Sequence, residues 1–197
     1  MTNTPGGTPA QPPRRTDARL NRERLTAVAR EVFAEAGPGA SLNAIARRAG
    51  VGPGTLYRHF PNRQALLTAV LKDRIETLCG QAETLAASHS ADDALARWLR
   101  AFLAHARLNH GMGSALMVEE PGVPGLDCHR LILDAATGLL DRAQRHGTAR
   151  PDLTADDLLQ LVVGVALSTS HDEDTARPDR LLALILDATH ATPRRGG

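Results

Sequence analysis

The chain has 197 residues, 42% of them hydrophobic and only 3% aromatic, with a net charge of +1. That hydrophobic content is ordinary for a globular protein, and no apolar run approaches the 18 residues that a membrane-spanning helix needs. Two cysteines, Cys79 and Cys128, with no Cys-x-x-Cys pair exclude a disulfide-stapled scaffold and a zinc ribbon.

With so few aromatics, the core has to come from Leu, Val, Ile and Ala, a composition that favours helices. The charge is unevenly spread. Residues 1–63 hold ten Arg against four acids, a balance of +6, which leaves −5 for the rest of a chain at +1. A basic end on a near-neutral chain is a footprint for a polyanion. Residues 1–17, MTNTPGGTPAQPPRRTD, lack both an apolar signal-peptide core and any large side chain to bury. They are expected to be a disordered basic arm ending in Arg14 and Arg15.

The first periodic segment follows. Leu25, Val28, Ala29, Val32, Phe33 and Ala36 fall on one helical face, and Gly37-Pro38 ends it. Ser41 is a good N-cap for a second helix carrying Leu42, Ile45, Ala46 and Ala49, which Gly50 closes with a positive φ. In the next stretch, VGPGTLYRHFPNR (51–63), Gly52 serves as N-cap and Pro53 as the first helical residue. Leu56 and Phe60 point inward at i, i+4, and Pro61 stops the helix before Asn62 caps the next. Two short helices joined by a Gly-containing turn make a helix-turn-helix. The outer face of the second is left free to enter a DNA major groove.

A long helix of about 25 residues, or roughly 37 Å, is expected from Asn62, with one apolar stripe from Leu66 to Leu85. Another carries Leu95, Trp98, Leu99, Phe102, Leu103 and Ala106. HGMGSALMVEEPGVPG (110–125) reads as a one- or two-turn helix and then a loop. Residues 129–146 form a further helix. TADDLLQLVVGVALSTS (154–170) opens on the N-cap Thr154, and PDRLLALILDATH (178–190) follows. These last two are apolar on nearly all sides and therefore need partners on more than one side. No segment shows strand alternation.

Residues 25–71 resemble the DNA-binding domain of TetR-type transcriptional regulators. VFAEAG, SLNAIARRAGV, GTLYRHF and LL occur in that family's order and spacing. The resemblance implies an all-α protein with a three-helix DNA-binding head (18–64), a helical ligand-binding and dimerisation body (65–190) and a flexible tail (191–197). It implies a cytoplasmic homodimer built on the last two helices, which leaves a double-stranded operator when a small-molecule effector enters the body. DNA contacts then map onto Arg14, Arg15, Ser41, Pro53, Gly54, Thr55, Tyr57, Arg58, His59 and Arg63. Thr55 and Tyr57 are hydroxyl donors to phosphate, and Arg58 is a reader of guanine or a phosphate ligand. Pro53 stands where a longer side chain is common in the family, which removes one base contact.

Trp98, Phe102, His105, Met112, Met117 and Leu131 are the candidate pocket. Leu158, Leu161, Val162, Val165, Leu181, Leu182 and Ile185 are the candidate dimer interface. No metal or cofactor is expected: His105 with His110, and Cys128 with His129, lack ligand spacing. Ser88, His89 and Ser90 are adjacent without a nucleophile elbow, so no catalytic constellation is present. The rival reading is a helical ligand-binding or enzymatic protein with a vestigial head.

Overall fold

The computed structural model describes the backbone of residues 14–116 and 128–190, and the side chains of residues 17–108 and 128–190. Described residues form eight helices and no strand: α1 (Arg14–Ala36), α2 (Leu42–Arg48), α3 (Pro53–His59), α4 (Arg63–Ser88), α5 (Ala91–Leu116), α6 (Cys128–Arg145), α7 (Ala155–Ser168) and α8 (Arg177–Thr189). The chain divides into two compact units, residues 1–66 and 67–197.

The first unit holds α1 to α3. Leu25, Ala29 and Phe33 of α1, Ile45 and Ala46 of α2, and Leu56 and Phe60 at α3 are all buried, with α2 packed on both α1 and α3. The breaks between helices are local chemistry. Gly37 and Gly50 sit at φ 76° and 69°, a region that Cβ-bearing residues rarely adopt. Ser41 caps α2 by accepting the Ala44 N–H at 3.4 Å. Gly52 is the N-cap of α3, with Pro53 at its start. Asn62 Oδ1 accepts the Ala65 N–H at 2.8 Å and so caps α4. One expectation is corrected here: α1 begins at Arg14, so the last four residues of the segment expected to be disordered are helical. Asp17 in the first turn suits the positive end of the helix dipole.

In the second unit α5 is the central element, packed on α6, α7 and α8. Trp98 is fully buried, donates Nε1–H to the Leu78 carbonyl of α4 at 2.9 Å, and stacks on Phe102 at 5.7 Å between ring centroids. A capping box opens α7: Thr154 Oγ1 accepts the Asp157 N–H, and the Asp157 carboxylate accepts the Thr154 N–H. The end of α8 is pinned where Arg150 N–H donates to the Thr189 carbonyl at 2.9 Å. A second correction concerns 110–125. Residues 110–116 are not a separate element, because α5 runs unbroken to Leu116 through Gly111 and Gly113, and residues 117–125 lie outside the described residues.

Candidate nucleic-acid interface

The second short helix of the helix-turn-helix is α3, and its two faces differ sharply. Leu56 and Phe60 are fully buried. Pro53, Gly54, Tyr57 and Arg58 are exposed, and Thr55 and His59 are half-buried. Tyr57 leaves 47% of its surface open, a large amount for the chain's only tyrosine beside a packed core. Arg58 makes no hydrogen bond or ion pair among the described residues. A seven-residue helix is far too short to hold itself in water, so the buried face and end contacts must fix it.

Those end contacts come from residues that periodicity does not single out. Arg22 of α1 donates Nη1–H to the His59 carbonyl at 3.1 Å, and its guanidinium lies 4.5 Å from the centre of the Phe60 ring. A cation at the carbonyl end of a helix, stacked on an aromatic face, anchors α3 from below. Arg48 of α2 forks onto Glu35 (2.7 and 3.1 Å) and reaches Glu31 (3.2 Å), tying α2 to α1. That ion pair holds the Glu35 carboxyl below its ordinary range. Arg48 is therefore neutralised, whereas Arg58 keeps its charge available.

The other expected DNA ligands fall into different situations. Ser41 uses its oxygen to cap α2, and its O–H remains able to donate to a phosphate. Arg63 is placed otherwise than expected: its Nη1 donates to the Pro38 carbonyl at 2.8 Å and to the Ala40 carbonyl, so it braces the α1–α2 connection. The carbonyls of that glycine-rich turn need donors, and Arg63 supplies them. Arg14 and Arg15 lie in the first turn of α1, and their side chains are outside the described residues.

In the body, none of the four described residues of the expected pocket lines either of the described cavities. Trp98 and Phe102 are core. Leu131 is half-buried, and its carbonyl accepts the Cys79 thiol at 3.4 Å. The Met112 side chain and all of Met117 lie outside the described residues. Instead, an open groove of about 600 Å³ lies between α4 and α5, lined by none of the six.

His105 is half-buried, and burial, with the Arg74 charge second, pushes its pKa down to about 4 from 6.5. The folded protein thus resists protonation that the unfolded chain accepts, and stability rises with pH between about 4 and 6.5. Replacing His105 with Gln is expected to flatten the dependence of the denaturation midpoint on pH in that window. An unchanged slope would show that His105 titrates normally.

The expected dimer interface also needs correction. Leu158, Val162, Val165 and Leu182 are buried within the chain's own core, and Leu181 and Ile185 are half-buried. Of the seven, only Leu161 is exposed, at 51%. The open apolar surface on these helices is Leu161, Val163 and Leu167 of α7 and Leu184 of α8.

Comparison with known proteins agrees with this geometry. Residues 25–70 match the family model described as bacterial regulatory proteins, tetR family, and residues 90–189 match that of the transcriptional regulator SbtR-like C-terminal domain. The HTH-type transcriptional regulator UidR of Escherichia coli is 30% identical over 172 residues, covering 82% of this chain and 87% of its own. Among solved structures, the TetR transcriptional regulator SCO0520 from Streptomyces coelicolor is 39% identical at a TM-score of 0.76, covering 87% of this chain and 99% of that one. A TetR transcription regulatory protein from Mycobacterium vanbaalenii is 34% identical at a TM-score of 0.71, covering 89% and 98%.

Proposed function

Since the chain belongs to the tetR family of bacterial regulatory proteins, we propose that it is a homodimeric repressor, released from its operator when a small organic molecule binds the body. The observation that carries this reading is α3, held by a fully buried inner face while Tyr57 and Arg58, which has no partner among the described residues, stand open. Tyr57, Thr55 and the Ser41 hydroxyl contact phosphates and set register, and Arg58 reads a base edge. Gly54 and Pro53 allow close approach of the backbone at the start of α3. His59 anchors α3 through its carbonyl and Arg63 braces the α1–α2 connection rather than touching DNA, while Arg14 and Arg15 add attraction to the polyanion. The protein works in the cytoplasm by binding and not by turnover. Among the described residues no helix is long and apolar enough to cross a membrane.

Two copies pair through α7 and α8. Leu161, Leu167 and Leu184 leave 51%, 52% and 64% of their surfaces in water within one chain, and a second copy covers them. Leu161→Glu combined with Leu184→Glu is expected to convert a dimer to a monomer in light scattering without unfolding it, because neither side chain belongs to the core. A dimer persisting in the double variant would place the interface elsewhere.

The decisive experiment is fluorescence-anisotropy titration of the duplex upstream of the protein's own coding region, and of a scrambled duplex, across a salt series. Tight binding to the first that weakens steeply with salt supports the reading. Equal, weak binding to both, repeated over a pool of random duplexes with none enriched, overturns it.

A further inference from the structure

The groove between α4 and α5 lies entirely in the second unit, and its lining is unusual for that unit. The chain beyond residue 63 carries a net charge of −5, yet the charged groups lining the groove are Arg97 and Arg100, with no carboxylate among them. Arg97 is held by Asp93 of its own helix at 2.8 Å, so it contributes a fixed but largely neutralised guanidinium. Arg100, three residues on and on the same face, makes no hydrogen bond or ion pair among the described residues.

Opposite the arginines, α4 presents Thr77, Gly80, Gln81, Thr84 and Leu85 at helical spacing. A Cβ added at Gly80 would meet nothing within 4 Å, so the groove floor is open there. Leu85 and Ala101 supply apolar wall, and Gln81 supplies an amide. The volume, about 600 Å³, is that of a site for a small organic molecule. One open cation, a small-residue floor and apolar wall together select a molecule with an acidic head and an apolar body.

We propose that this groove binds an amphipathic carboxylate, with the carboxylate on Arg100 and the apolar body lying over Gly80 against Leu85 and Ala101. The carboxylate accepts two N–H bonds from a planar guanidinium, a pairing that an ammonium would not match. Binding itself stands on the groove alone; that it releases DNA rests on the repressor reading.

The test is calorimetric titration of the full-length chain with octanoate, and with 1-octanol as the uncharged control. Octanoate is expected to bind with a Kd below about 1 mM, and octanol more weakly. Arg100→Gln is expected to weaken octanoate about five- to tenfold, the scale of a partly exposed charge-assisted pair. Gly80→Leu fills the floor and abolishes binding, and it leaves the helix intact because Leu is the better helix former. Circular dichroism checks that both variants stay folded. No octanoate binding, octanol binding as tightly as octanoate, or affinity unchanged in both variants overturns the proposal. Operator binding is measured on the same samples without octanoate. Its failure would sink the repressor reading and leave the calorimetric result standing, so the two failures are distinguishable.

Discussion

Arg58→Ala is expected to weaken binding to the operator at least tenfold while leaving binding to a scrambled duplex nearly unchanged. Arg58 is exposed on α3 and makes no hydrogen bond or ion pair among the described residues, so the substitution removes nothing from the fold. Alanine is also the better helix former, which protects a seven-residue helix. A bidentate arginine–guanine contact is worth roughly 1–3 kcal/mol of discrimination, and a homodimer makes it twice. The expected loss is therefore about 2–6 kcal/mol, roughly thirtyfold at its lower end, and tenfold is the threshold the experiment must exceed. Tyr57→Phe removes one neutral hydroxyl contact per head and should weaken both duplexes alike by a few-fold. Anisotropy titrations of the three proteins on both duplexes separate base reading from register setting. If Arg58→Ala instead weakens both duplexes equally and lowers the salt slope by about one per head, Arg58 is a phosphate ligand. If it changes neither, α3 does not face DNA through Arg58.

Phe60→Ala is expected to cost about 3–5 kcal/mol, against a total stability of about 5–15 kcal/mol for a typical domain. Phe60 is fully buried at the C-terminal end of α3, and its ring carries the Arg22 guanidinium at 4.5 Å. Truncation opens a cavity in a unit of only 66 residues, where each buried ring is a large share of the core. It also removes the platform from which Arg22 reaches the His59 carbonyl. Phe60→Leu keeps most of the volume and should cost under about 1.5 kcal/mol. Denaturant unfolding gives the stabilities, and amide exchange on α2 and α3 shows where protection is lost. A Phe60→Ala protein within about 1 kcal/mol of the parent would mean that the ring is not part of the head's core.

The boundaries of α2 and α3 and the start of α4 were legible in the sequence because each is set within three or four residues. Ser41 caps α2, Gly50 takes its positive φ, Gly52 and Pro53 open α3, and Asn62 caps α4. Each is a short-range steric or hydrogen-bonding preference that survives any tertiary surroundings. The inward placing of Leu56 and Phe60 was legible for a similar reason, since α3 has one apolar face and the i, i+4 spacing names it.

Other features are not local. Arg22 and His59 are 37 residues apart, and Arg63 meets carbonyls 23 and 25 residues back. An arginine in a basic stretch reads as a phosphate ligand until the fold supplies a carbonyl for it. On α7 and α8 the limit is different in kind. Periodicity locates a buried face by contrast with a polar one, and helices apolar nearly all round offer little contrast. Burying Leu158, Val162, Val165 and Leu182 while leaving Leu161, Leu167 and Leu184 in water was decided by α5 and the rest of the body packing against one side of each helix. The sequence by itself determined where α2 and α3 start and stop, where α4 starts, and which face of α3 is free. Only the tertiary structure decided which arginine is spoken for and which leucines are spare, because both depend on what arrives from far along the chain.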